Sequence, residues 1–250
     1  MSRRARLVLF AISAVGAAGL LAWAFAGLPE FGDYQGRYGR IVAASAVPDR
    51  SATEAVAVTV FDYRALDTLG EEFILFVSVF GVLALLRTHR GERERGRAVG
   101  EGRRGPGPSE SLRLAGRLLV APVLLLGIYI VSHGHLTPGG GFQGGVVLGT
   151  AMFLLFLSAG YLAFKRVRPV SVVEAVEAGG AAGFALIGVG GLLLGAVFLE
   201  NFISPGKSGL LTGGTIPLSN AAVGLEVAGA LIMILSEFLD QRLLVRERSR

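Results

Sequence analysis

Residues 133–145 read HGHLTPGGGFQGG, with a long apolar run on either side. Gly139, Gly141 and Gly144 spell G-x-G-x-x-G, the spacing of a dinucleotide-binding loop. That chemistry needs a strand before the glycines and a helix after them, within a βαβ unit. Here the flanks are 112–132 and 142–164, each of spanning length. A membrane-crossing helix takes roughly 20 apolar residues at about 1.5 Å each. The fingerprint is therefore accidental, and the stretch reads as a turn between two membrane helices. Pro138 cannot continue a helix, and the glycines permit a compact reversal. Irregular backbone so close to lipid must be covered by protein or line a wet cavity. Thr137, Pro138, Gly139, Gly140, Gly141 and Phe142 are thus expected to form a packing or gating corner. His133 and His135 have no carboxylate nearby in sequence to complete a ligand set, so no metal site is expected.

Working outward, 7–28, 142–164 and 178–199 are uncharged runs of spanning length. The run 112–132 carries Arg113 and Arg117 only at its start, and 217–239 carries two glutamates. The run 73–86 reaches spanning length when its helix begins near Asp67. The expected fold is all-α and integral to the membrane, with six transmembrane helices. Only 17% of the residues are charged, against about 25% in soluble domains. The pI of about 10.1 comes from arginines crowded between the apolar runs, which points to membrane lipid and argues against nucleic acid.

With both termini cytoplasmic, the inner segments hold Arg3, Arg4, Arg6, nine arginines between 87 and 117, Lys165, Arg166, Arg168, Arg242, Arg246, Arg248 and Arg250. Only Arg37, Arg40, Arg50, Arg64 and Lys207 fall outside. This asymmetry supports six spans in a multi-pass protein of the cell (inner) membrane. The start of the chain has the outline of a signal peptide, ending Ala24-Phe25-Ala26. Its apolar stretch is longer than such peptides need, and a retained first helix is expected. The chain has no cysteine, which excludes disulfides, thiolate metal sites and cysteine nucleophiles.

Residues 88–111 are charged, rich in glycine and proline, and without large apolar side chains. They read as a cytoplasmic linker. It separates a two-helix module, 1–87, with an outer loop over 29–66, from a four-helix module, 112–240, followed by a basic tail, 241–250. Within the loop, AVAVTVF, 55–61, fits a short strand or a surface helix. Gly145 and Gly149, Gly179 and Gly183, and Gly191 and Gly195 have the four-residue spacing that lets membrane helices approach closely, although glycine is also common in the whole chain.

Glu226 lies about nine residues into the last apolar run, among Val223, Gly224, Leu225, Val227 and Ala228. A charged acid there costs on the order of 2.5–3.5 kcal/mol. Proton carrier, cation ligand and hydrogen-bonded structural residue are all open to it. DTLGEE, 67–72, has Thr68 and Glu71 spaced as a capping box, with Asp67 also able to cap. As a cluster, these acids also fit a cation-concentrating vestibule. Asp62 and Arg64 are placed for a local salt bridge. Ser171 and Glu174 repeat the capping box, and Glu177 is expected to pair at the surface near Arg166 and Arg168. Glu237 and Asp240 fall near the cytoplasmic end. Nothing has the spacing of a nucleophile with its base, a haem ligand pair or an iron–sulfur motif, so no cofactor and no covalent catalysis are expected.

HGHLTPGGGFQGGVVLG, 133–149, resembles the signature turn of the MrpB/MnhB family, the B subunit of Mrp-type multisubunit Na⁺/H⁺ antiporters. GGTIPLSNAAVGLEV, 213–227, resembles the last helix of that family, and SEFL, 236–239, extends the likeness. The stretch AVAVTVFDYRALDTLGEEFILFVSVFGVLALLR, 55–87, resembles a segment at the C-terminal end of the large Mrp A subunit. In membrane-bound hydrogenase and related ion-pumping complexes that module occurs as a separate small subunit, so the segment is similar to the hydrogenase E subunit. The resemblance implies a fusion of the two modules, with complex-I-like antiporter subunits and small membrane subunits as partners, and with Na⁺ and H⁺ as transported ions. By physical argument Glu226, Glu71 and Asp67 are the candidate ion-path acids, and the resemblance strengthens the vestibule reading of the 67–72 acids, because the family segment carries the same acids. The same module would also suit a redox-driven complex such as a membrane-bound hydrogenase, or a purely architectural subunit.

Overall fold

The computed structural model describes residues 3–28, 36–86 and 109–248, apart from 196, 205, 207, 208 and 211. Every regular element among them is helical: α1 (Arg3–Ala26), α2 (Arg37–Arg50), α3 (Ala55–Val58), α4 (Ala65–Leu86), α5 (Glu110–Ser132), α6 (Gly141–Val167), α7 (Val170–Leu194) and α8 (Ile216–Arg248). All but α2 and α3 are long and apolar enough to cross a membrane, which gives the six spans expected from the sequence. The chain divides into two compact units, Met1–Ile41 and Val42–Arg250. The first carries α1, whose Phe10, Val15 and Trp23 are exposed.

In the second unit α8 is the axis, and most of its spanning length is buried. Glycines set its neighbours close. The backbones of Gly141, Gly145 and Gly149 of α6 lie against Val223, Val227 and Leu231 of α8. That constant offset makes α6 and α8 parallel. Gly180 of α7 lies against Glu226 of α8, and Gly229 of α8 against Glu177 of α7, so these two helices are antiparallel. Gly116 and Gly127 of α5 meet Ser158 and Leu148 of α6, again antiparallel. Gln241 donates to the Leu86 carbonyl at 2.7 Å, which aligns α4 with α8. The five spans therefore alternate in direction, as consecutive membrane crossings must. Of the glycine pairs singled out by spacing, Gly145 and Gly149 are spent on the α6–α8 contact. Gly179 has open space beside it.

The loop expected over 29–66 carries α2 and α3. The stretch 55–61 is helical: α3 is capped by the Glu54 carboxylate, which accepts from the Ala57 N–H. It then widens into a π-helical turn over Thr59–Tyr63, which presses Phe61 on Phe184, ring centroids 6.1 Å apart. Neither capping box forms. Helix α4 starts at Ala65, so Thr68 is already inside it, and its hydroxyl donates to the Val60 carbonyl at 2.6 Å. Helix α7 starts at Val170 behind Pro169, whose fixed φ suits a helix start. Asp62 pairs with Arg50, and Arg64 with Asp67, in place of the expected Asp62–Arg64 bridge. Most of the linker read over 88–111 lies outside the described residues. At its end Ser109 caps α5 by accepting from the Leu112 N–H at 3.3 Å. The segment read as a basic tail continues α8 to Arg248.

Candidate functional site

The turn over 133–145 is the first half of the site's frame. Helix α5 ends at Ser132 and α6 begins at Gly141. Gly140 has φ +139°, a conformation L side chains rarely adopt. The Gly141 N–H donates to the buried Asn220 Oδ1 at 2.8 Å, which ties the turn to the first turns of α8. Thr137 donates to the His133 carbonyl at 3.3 Å, Pro138 is exposed, and Phe142 packs on the main core. The corner is thus packed against α8 and the core at Gly141 and Phe142. Asn220 is a residue that sequence reasoning did not single out. Asn201 makes a similar clamp, donating to the Gly213 carbonyl at 2.9 Å and accepting from the Thr215 N–H at 2.8 Å. His135 is fully buried near Gly209 and Gly213, and burial holds its imidazole below the ordinary histidine range. His133 instead stacks on Tyr129, ring centroids 4.2 Å apart.

Four acids are buried among the described residues: Glu72 at 2% exposure, Glu177 at 4%, Glu226 at 0% and, further along α8, Glu237 at 7%. Glu72 and Glu226 face one another within hydrogen-bonding reach. No described donor reaches the carboxylate oxygens of either. As bare carboxylates, both groups are acceptors, so only a proton or another cation between them makes the contact favourable. Glu177 acts electrostatically on Glu226 from α7. The close crossing explains how: Gly180 and Gly229 bring the two backbones together at these acids. Among the described residues, no three acidic or histidine groups converge as a metal-chelating set.

The other expected acids lie elsewhere. Glu71 and Asp67 are exposed, although Glu71 still acts electrostatically on Glu72. Helical periodicity is the cause. Ala65, Thr68, Glu72 and Val79 form the buried stripe of α4, and Glu71 is about a hundred degrees off it. Glu177, expected at the surface, is in the buried stripe Val173, Glu177, Gly180, Phe184, Gly188 and Gly191 of α7. That stripe is readable in the sequence as a run of small and apolar residues at helical spacing, interrupted by one acid.

The register places these groups along the bundle. At the start of α4, a cleft of about 750 Å³ is lined by Arg50, Asp62, Arg64 and Glu200 among others. The Glu72–Glu226 pair lies seven residues, about 10 Å, down α4 from Ala65. Glu177 is level with Gly229, one turn further. Beyond it Val79, Val173, Ala230 and Met233 form an apolar cluster. At the far end of the bundle are Tyr161, Arg168, Glu237 and Asp240. There the Tyr161 hydroxyl donates to Asp240, and Arg168 lies over the Phe164 ring at 5.3 Å.

Such a bundle is a multi-pass membrane protein with acids in its interior. Residues 111–233 match the family model described as a domain related to the MnhB subunit of Na⁺/H⁺ antiporter, and residues 2–100 match MbhE, the E subunit of MBH. The chain belongs to this family of MnhB-type membrane subunits, with an MbhE-type region ahead of the MnhB domain. An uncharacterized protein of Methanocaldococcus jannaschii is 34% identical over 70% of this chain and 73% of its own length. The B subunit of the Na(+)/H(+) antiporter of Bacillus subtilis is 33% identical over 36% of this chain and 62% of its own. Among solved structures, a chain of the membrane-bound sulfane sulfur reductase, an archaeal respiratory membrane complex, superposes with a TM-score of 0.72 at 30% identity, covering 94% of this chain and 98% of that one. A chain of the Mrp complex from a Dietzia species gives 0.70 at 27% identity, covering 95% of this chain and 26% of that one.

Proposed function

We propose that this chain is a membrane subunit of an Mrp-type monovalent cation/proton antiporter, and that its interior acids carry the ion. The observation that supports this is the facing pair Glu72–Glu226, with Glu177 one turn along the bundle. Two facing carboxylates repel when both are bare. A proton or a Na⁺ relieves that repulsion, and one displaces the other, which is the exchange an antiporter needs. With both termini in the cytoplasm, α4 and α8 begin at the outer side. The cleft at Arg50, Asp62, Arg64 and Glu200 is then the outer mouth, with Asp67 and Glu71 supplying cations beside it. Glu177 passes the ion inward, and the apolar cluster of Val79, Val173, Ala230 and Met233 keeps water from crossing at rest. Tyr161, Glu237 and Asp240 form the cytoplasmic end. The role is transport, with no covalent chemistry and no cofactor, in a hetero-oligomer with large complex-I-like and small membrane subunits.

A second reading has an observation of its own. The likeness to the sulfane sulfur reductase chain covers 98% of that chain, so the two-module plan also suits a redox-driven respiratory complex. One experiment separates the two. The tagged chain is purified in mild detergent, its companions are identified, and the complex is reconstituted into vesicles. The antiporter reading expects Na⁺-driven proton movement without any electron donor. Iron–sulfur or nickel subunits in the purified complex, with ion movement only during electron transfer, would replace it with the second.

A further inference from the structure

Where α5 meets α6 there is a groove of about 450 Å³ beside the contact of Gly116 with Ser158. Arg113 and Arg117 line it from one side of α5, a single helical turn apart. Val120, Ala121, Leu155 and Ala159 supply apolar wall. The Ser158 hydroxyl donates back to the Leu154 carbonyl at 2.8 Å, so the two guanidinium groups are the donors that the lining offers a ligand. Their depth is set by the helix ends. A hydrocarbon layer of about 30 Å takes about 20 helical residues. Counted from the 133–145 turn, it runs from Ser132 back to Arg113 in α5 and from Gly141 forward to Gly160 in α6. Gly160 breaks its helix at φ +81°, and irregular backbone belongs where polar groups are at hand. Arg113 therefore stands at the headgroup boundary, and Arg117 one turn inside it. Arg117 is exposed and makes no ion pair with a described acid. A guanidinium at that depth is costly unless its stem reaches outward to a polar or anionic group. The lining contains no acid and no aromatic ring among the described residues, so nothing in it would hold the ammonium of a zwitterionic headgroup.

We propose that this groove binds one anionic phospholipid, of the phosphatidylglycerol or cardiolipin class, with its phosphate between Arg113 and Arg117 and an acyl chain along Val120, Ala121 and Leu155. Basic pockets between membrane helices on the cytoplasmic side, where this end of α5 is read to lie, suit such headgroups. A soluble anion would leave the apolar wall uncovered. A companion helix would have to carry acids to both arginines at the edge of the hydrocarbon. A ligand anionic at one end and apolar over the rest matches both parts of the groove. The lipid acts as a clasp that holds α5 on α6 beside the break at Gly160. None of the interior acids takes part, so the site serves an antiporter and a redox-driven complex alike.

The test uses the purified complex in phosphatidylcholine nanodiscs. These are doped with a phosphatidylglycerol that carries a diazirine in its acyl chain, and adducts are mapped by mass spectrometry. Adducts are expected on α5 and α6 around Val120 and Leu155. A phosphatidylcholine probe with the same chain should label those positions several-fold less. Arg113→Gln and Arg117→Gln should each lower the phosphatidylglycerol adduct about fivefold, the value of one cationic side chain at an anionic lipid surface. Arg117→Lys, which keeps the charge, should retain most of it, and excess inorganic phosphate should not compete. Equal labelling by the two probes would overturn the proposal, as would an undiminished adduct when both arginines are glutamine. Competition by inorganic phosphate would overturn it in favour of a soluble anion. A benzoyl-phenylalanine at Val120 that captures a companion subunit in place of lipid would overturn it in favour of a protein contact. If the glutamine variants fail to assemble, the two lipid probes on the unaltered complex still decide.

Discussion

Glu72 of α4 and Glu226 of α8 stand carboxyl to carboxyl at one depth of the bundle, on parallel helices, with no described donor between them. Among the described residues, neither acid is held by a neighbouring arginine or lysine, which is the usual arrangement when a buried carboxylate serves only the architecture. Replacing either by glutamine keeps the shape and removes the charge. Glu226→Gln and Glu72→Gln should each lower Na⁺/H⁺ exchange in vesicles at least tenfold while the complex still assembles. Glu71→Gln, on the exposed face, should cost less than threefold. Exchange surviving in both buried variants would leave the pair a structural role.

The glycines of α7 separate close contact from composition. At Gly180 an added Cβ would lie 2.5 Å from the Glu226 nitrogen and 2.6 Å from the Ala222 carbonyl oxygen, both backbone atoms. Nothing lies within 4 Å at Gly179. Gly180→Ala should destabilise the bundle by roughly 1–3 kcal/mol through overpacking and move Glu177 away from Glu226. Gly179→Ala should be neutral or stabilising by up to about 1 kcal/mol. Thermal unfolding in detergent reads both.

Asn220 joins the 133–145 turn to α8 through its hydrogen bond from the Gly141 N–H. Asn220→Ala leaves that buried N–H without a partner, a loss of about 1–3 kcal/mol. The melting temperature should drop, and proteolysis should begin at the turn. An unchanged melting temperature would show that the turn is held by its glycine contacts alone.

His135 gives the end of the bundle at the 133–145 turn a pH dependence. Its folded form binds a proton less readily than the unfolded chain because burial penalises the charge, with His133 adding to the penalty and the Gly209 carbonyl opposing it. The stability this residue contributes is complete above about pH 6.5 and is lost as pH falls below it, by at most about 1.4 kcal/mol per pH unit. Melting curves between pH 7.5 and pH 5 should therefore fall for the native chain and flatten for His135→Gln.

How the sequence carried the fold is plain in particular elements. The end of α5 at Ser132 and the start of α6 beside Phe142 follow from Pro138 and the glycines, because local backbone chemistry fixes them. The start of α4 was misplaced because Thr68 and Glu71 mimic a cap, while the π-helical turn before Ala65 is set by Phe61 packing on Phe184, a contact between distant segments.

Sequence alone determined that this chain crosses the membrane six times, because lipid demands uninterrupted apolar length and segregated charge, and both are local properties. It also marked Glu226, since one acid in an apolar run is visible without any partner. Only the tertiary structure chose Glu72 over Glu71 and drew Glu177 inward. In a membrane helix nearly every position is apolar, so hydrophobicity no longer distinguishes the inner face from the outer one. Which acid turns inward is decided by the rotation of each helix against its neighbours, and here the glycine contacts at Gly180 and Gly229 set that rotation for α7 and α8.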